Sequence, residues 1–242
     1  MSEMSEMSDI SDTTTTASMT RYAAQQIEEA HRILGVMRED AALQQAVAAA
    51  AQSCIASLKG GGKVLFAGNG GSAADAQHMA GEFVSRFMFD RPGLAAVALT
   101  TDTSILTAIG NDYGYDKLFE RQVQALGRKG DVLVVYSTSG KSPNVLRALE
   151  AARAQGLVTI GFTGNRGGPM HALCDHVLAT PSPDTPKIQE GHLVMGHILC
   201  GLVERAMFTP PPGAPAALPA QGGAAGGPAE PDPRRPLGGA AG

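Results

Sequence analysis

The chain has 242 residues, a formal net charge of -4 and 43% hydrophobic residues, which suits one α/β domain with a sizeable core. The mild negative charge argues against a nucleic-acid binder, which needs a basic surface, and no apolar run approaches the roughly 18 residues that span a bilayer. Cys54, Cys174 and Cys200 lie far apart with no CxxC pair, so neither a disulfide framework nor a structural zinc knuckle is expected, and a reducing cytoplasm fits.

Residues 1–18, an imperfect Met-Ser-Glu repeat and a Thr run, have no apolar face to bury and are expected to form a disordered tail. Their acidic, polar character is the reverse of a secretory signal, and Met19 stands as an alternative start. A single domain is expected over 19–208. Two helical patterns, near 20–38 and 40–58, precede the first strand. Five β-rich runs follow, at 63–69, 94–100, 132–138, 158–164 and 176–181, alternating with helical patterns at 72–89, 103–110, 115–127, 143–155 and 186–208. Most runs are almost continuously apolar, as parallel strands covered on both faces are. The alternation predicts right-handed crossovers and a doubly wound, five-stranded parallel sheet flanked by helices. Residues 209–242, almost entirely Pro, Gly and Ala, read as a disordered tail.

In such sheets ligands bind beyond the carboxyl ends of the strands, so the loops after the first and third strands carry the interest. The third strand runs into Ser137-Thr138-Ser139-Gly140-Lys141-Ser142-Pro143. Pro143 can open a helix, and Ser142 suits its N-cap. The hydroxyls and the helix N–H groups would together cradle a phosphate dianion. A Walker A loop would need glycine five residues before Gly140, where Val135 stands. The first strand ends in Gly68-Asn69-Gly70-Gly71-Ser72-Ala73, a loose dinucleotide fingerprint. Its expected acid is missing from the end of the second strand, because Asp102 comes too late.

The helix after the glycine loop places Asp75, His78 and Glu82 on one face, through spacings of three and four. An i,i+4 His–Glu pair is ordinarily a solvated pair, but this face can look into the crevice. On the last helix, Gln189 and His197 differ by about 80° in direction and about 12 Å along the axis. Either their side chains converge from both ends or a neighbouring subunit completes each site. His192, about 140° from His197, is expected to be structural or exposed, and His31, His171 and His176 carry no pattern.

AGNGGSAADAQHMAGEF, LTTDTSILTAIGNDYGYDKLF, STSGKSPNV and TPKIQEGHLVMGHI resemble, in order and spacing, the phosphoheptose isomerases. These are the D-sedoheptulose 7-phosphate isomerases of the sugar isomerase (SIS) fold, and the resemblance covers residues 20–208. It implies an aldose–ketose isomerase that makes D-glycero-D-manno-heptose 7-phosphate through an enediolate, the first step of nucleotide-heptose synthesis for surface polysaccharide. By resemblance His78, Glu82, Gln189 and His197 hold one zinc ion per subunit, and Glu82 and His197 are the acid–base pair. Asn69, Gly70, Gly71, Asn111, Asp112, Ser137, Thr138, Ser139, Ser142 and Gln189 fall in its substrate-contacting segments. The resemblance also implies a cytoplasmic homotetramer with sites at subunit contacts, a sugar-phosphate substrate, and neither nucleic acid nor membrane as partner. Asp75 would orient His78, or else serve as a solvated first-turn acid. Two rival readings share the fold: a non-catalytic protein that binds the replication initiator, and a different sugar-phosphate SIS enzyme. The presence of Glu82 and His197 separates the chain from the first, and the full ionisable set favours the heptose enzyme over the second.

Overall fold

The computed structural model describes residues 15–165, 167–210 and 212. Five strands form one parallel sheet: β1 Val64–Gly68, β2 Ala96–Ala98, β3 Val132–Tyr136, β4 Val158–Gly164 and β5 His176–Thr180. Helices α1 Thr16–Glu39 and α2 Ala41–Lys59 precede it. They are followed by α3 Gly71–Val84, α4 Thr103–Tyr113, α5 Glu120–Leu126, α6 Pro143–Ala154 and α7 Thr185–Met207. Among the described residues no helix is long and apolar enough to cross a membrane.

Each strand was legible as an apolar run because β1 and β3 are buried on both faces along their whole length. Successive side chains feed opposite cores. Val64, Phe66, Val132, Val134 and Tyr136 pack toward α1, α2, α3 and α7, whereas Leu65, Ala67, Leu133 and Val135 pack toward α4, α5 and α6. The strand order is β2-β1-β3-β4-β5. The chain therefore winds one way from β1 to β2 and the other way from β3 onward, which puts the switch point between β1 and β3. Gly68 pairs in register with Tyr136, so the glycine loop and the serine-rich loop emerge side by side.

Three departures from the expected boundaries are the largest. Helix α1 begins at Thr16, capped by the Thr15 hydroxyl accepting from the Ser18 N–H, so the tail expected over 1–18 gives way to helix before its end. Residues 1–14, and most of the tail expected over 209–242, lie outside the described residues. Helix α3 stops at Val84 rather than 89, because the Arg91 guanidinium donates to the carbonyls of Glu82, Phe83 and Ser85 and satisfies the groups a longer helix would have used. The stretch expected as one helix over 115–127 divides into a 3₁₀ turn, Tyr115–Lys117, and α5.

Candidate active site

Helix α3 leaves the glycine loop directly, with Gly70 as its N-cap at φ 58°, a conformation that costs glycine nothing. Helix α7 lies beside α3 and runs in the same direction: Gln189 abuts Gly71, His197 meets His78, and Glu204 reaches Phe87. This pairing brings the predicted ionisable residues together. His78 Nε2 lies 2.9 Å from Glu82 Oε1 and 3.4 Å from His197 Nε2. Ligand atoms of the three side chains all fall within 4.8 Å of one another. The Phe87 ring packs on His197, centroids 5.5 Å apart.

The donor set suits zinc. Two imidazoles and a carboxylate are common zinc ligands, and Zn–N bonds of about 2.0 Å in a tetrahedron separate their donors by about 3.3 Å. The observed His78–His197 spacing of 3.4 Å matches that edge. Gln189 stands two turns further up α7, its amide so close against Gly71 that a Cβ there would strike it.

Asp75 occupies the same face of α3 one turn before His78, but the two share no hydrogen bond among the described residues. Its Oδ2 is buried and unpartnered. Burial raises the Asp75 carboxyl above the usual carboxylate range, and the nearby His78 only partly offsets this. His192, expected to be structural or exposed, is structural: it is 1% exposed, and its Nε2 lies 3.1 Å from the Thr163 carbonyl. Burial pushes its imidazole down to about 4.

In the serine-rich loop Ser142 occupies the N-cap position of α6, as expected, yet its side chain does not cap. Its Oγ lies 3.1 Å from Ser137 Oγ, and Pro143 opens the helix. Pro143 has no N–H and the Val145 N–H donates to the Ser142 carbonyl, so the Asn144 N–H is the first-turn donor left for an anion. Gly140 turns the loop at φ 64° beneath Ser139, whose hydroxyl accepts from the Lys141 N–H at 3.2 Å. Asn111 and Asp112 lie exposed at the end of α4, with Asn111 Nδ2 donating to Asp112 Oδ1 at 2.7 Å. A little further along the chain the Tyr115 phenol donates to Asn69 Oδ1 at 2.9 Å.

Two residues absent from the sequence reading complete this layout. Asn144 forms a reciprocal amide pair with Asn69, both bonds 2.8 Å, and Tyr115 joins the same amide. Asn144 had left a signal. It lies on the buried face of α6 with Val145, Ala148, Leu149 and Ala152, a polar residue in an apolar stripe.

Comparison with known proteins follows this geometry. The SIS domain family model matches residues 25–164. The phosphoheptose isomerase of Burkholderia pseudomallei strain 1710b is 69% identical over 187 residues, covering 77% of this chain and 95% of that protein. Its counterpart in Aneurinibacillus thermoaerophilus is 53% identical over 190 residues, 78% of this chain and 96% of that one. Among solved structures, a phosphoheptose isomerase from Neisseria gonorrhoeae superposes with a TM-score of 0.72 at 44% identity, covering 77% of this chain and 98% of that chain. One from Francisella tularensis gives 0.74 at 36% identity with the same coverage.

Proposed function

The chain belongs to the phosphoheptose isomerases of the SIS family, and on that premise we propose how its residues divide the work. It is an aldose–ketose isomerase acting on D-sedoheptulose 7-phosphate. The observation that carries the assignment of roles is the meeting of Glu82 from α3 with His197 from α7.

The substrate phosphate lies in the 137–142 loop, where the hydroxyls of Ser137, Thr138, Ser139 and Ser142 and the Asn144 N–H at the start of α6 receive it. Asn69, Gly70, Gly71, Gln189, Asn111 and Asp112 line the path of the open-chain sugar. Of Glu82 and His197, one takes the C1 proton as general base. The other moves a proton on or off the neighbouring oxygen, and C2 is then reprotonated to give D-glycero-D-manno-heptose 7-phosphate. His78, Glu82 and His197 would hold a zinc ion that supplies Lewis-acid stabilisation of the enediolate charge; Gln189, the weaker fourth donor that the resemblance implies, rests with its amide against Gly71 two turns up α7.

A cytoplasmic homotetramer with sites at subunit contacts completes the proposal. Within one chain the site is open, for the His78 side chain is 43% exposed and Asn111, Asp112 and Tyr115 lie at the surface. On the helix that carries His197, Leu193, Val194 and Ile198 are exposed. They adjoin an apolar groove lined by Leu34, Met37, Leu43 and Val47. An apolar face contiguous with a catalytic residue is what a second copy of the chain would cover.

The test is incubation of the full chain with sedoheptulose 7-phosphate in deuterated water, with and without zinc, followed by NMR at C1 and C2. Aldose should form with deuterium at C2, and faster with zinc. Glu82→Gln should keep its fold and its affinity for phosphate while turnover falls about 10²–10⁴-fold. Near-wild-type turnover in that variant would remove Glu82 from the acid–base role. Absence of product and of exchange from intact, zinc-supplied protein would overturn the isomerase reading.

A further inference from the structure

Asn69 follows β1 and stands between the two substrate loops, and its side-chain amide is almost fully committed. Its Oδ1 accepts from Asn144 Nδ2 at 2.8 Å and from the Tyr115 phenol at 2.9 Å, while its Nδ2 donates to Asn144 Oδ1 at 2.8 Å. A carboxamide has two acceptor lone pairs and two N–H bonds. Both lone pairs and one N–H are therefore used within the protein. What Asn69 has left for a ligand is a single N–H, so it can serve an acceptor oxygen and cannot receive a sugar hydroxyl's proton.

Asn144 holds that amide in its plane. It is 1% exposed and anchored in the first turn of α6, against the core that holds Val145 and Leu149. Without it, the Asn69 amide would keep Tyr115 as its only partner here and could turn its carbonyl toward the ligand. The loop of Asn69 continues through Gly70 and Gly71 into the helix of His78 and Glu82. Asn69 thus stands at the head of the helix whose later turns carry the acid–base groups.

We infer that Asn144 is a positioning residue for the isomerase reaction: its reciprocal pair with Asn69 holds one amide N–H ready for the carbonyl or enediolate oxygen of the sugar. The inference rests on the isomerase reading above. An oriented donor of this kind acts on the charge that develops during the reaction, so its effect falls on kcat rather than on phosphate binding.

Asn144→Ser removes both bonds without adding charge. Asn144→Asp sets a carboxylate oxygen against Asn69 Oδ1 and draws both Asn69 N–H groups toward itself. Each variant is assayed beside the wild type for kcat, KM and solvent exchange at C1, with inorganic phosphate affinity and thermal unfolding measured on the same samples. Expected for the Ser variant are a kcat lower by about tenfold or more, exchange reduced in parallel, and phosphate affinity and melting temperature close to wild type. The Asp variant should lose at least as much kcat. A folded Ser variant with kcat within twofold of wild type overturns the inference. So does a loss confined to KM with weakened phosphate binding, or a loss in both variants that only tracks their folded fraction. Absence of turnover in the wild type would instead be the failure of the isomerase reading, and the shared assay separates the two.

Discussion

At the scale of single residues, His192 shows how a histidine close to the chemistry is kept out of it. Its ring is enclosed by Tyr136 and Phe162, centroids 5.8 and 5.7 Å away, and one nitrogen meets the Thr163 carbonyl. Burial depresses its pKa from 6.5 to about 4, so folding requires the neutral ring. The stability this residue contributes is fully present above pH 6.5, declines as the unfolded state begins to take up the proton, and is lost as pH falls through about 4. At about 1.4 kcal/mol per pH unit the effect amounts to a few kcal/mol. His192→Gln should therefore flatten the loss of stability between pH 6.5 and 4, read as urea midpoints of the two proteins across that range. Parallel midpoints would show that other groups set the acid limit. The 140° offset between His192 and His197 was readable from helical spacing, but the depth of burial was not, since it depends on which rings of β3 and β4 close over α7.

At the scale of elements, the pairing of α3 with α7 is stabilised by a buried ion pair. Arg91 Nε lies 3.0 Å from Glu204 Oε1, the side chains being 2% and 1% exposed. The Glu204 carboxylate also accepts the N–H groups of Phe87 and Met88 at 2.8 Å. Arg91 in turn holds the carbonyl of Glu82 at 2.7 Å, so the end of the helix that carries Glu82 is pinned to α7. Removing one partner of such a pair strands the other charge, at a cost of about 3–5 kcal/mol. Arg91→Met should lose stability of that order in denaturant titrations and turn over more slowly even where it is folded. A change below about 1 kcal/mol would mean that the backbone donors alone satisfy Glu204. Strands and helices were legible because periodicity is a local property, and the meeting of His78 and Glu82 with His197 was legible because spacing and resemblance agreed. The brace was hidden, because Arg91 and Glu204 lie 113 positions apart and nothing local marks either one. Tyr115 was hidden for the same reason, since its meaning lies in Asn69, 46 positions away, whereas Asn144 was marked by its place in the apolar stripe of α6.

At the scale of the whole molecule, α7 serves two ends with one helix. Its buried side supports the sheet, and its exposed side sets His197 beside Ile198, which is 49% exposed. If a second subunit covers this face, Ile198→Asp should dissociate the assembly in sedimentation and lower turnover, even though the side chain is not among the groups that handle protons. Unchanged mass would place the contact elsewhere. The two tails contribute nothing to this account, and the common expectation for both, disorder, was compositional rather than structural. The parallel course of α3 and α7 has a consequence for how such a chain can change over evolutionary time. The contacts between the helices, from Gln189 at Gly71 to His197 at His78, are set by counting residues along two rods. Exchanging one side chain for another leaves that count intact. Inserting or deleting one residue within either rod rotates everything beyond it by about 100°. These two segments can therefore drift in composition while their lengths stay fixed, and insertions should accumulate only in the loops outside them.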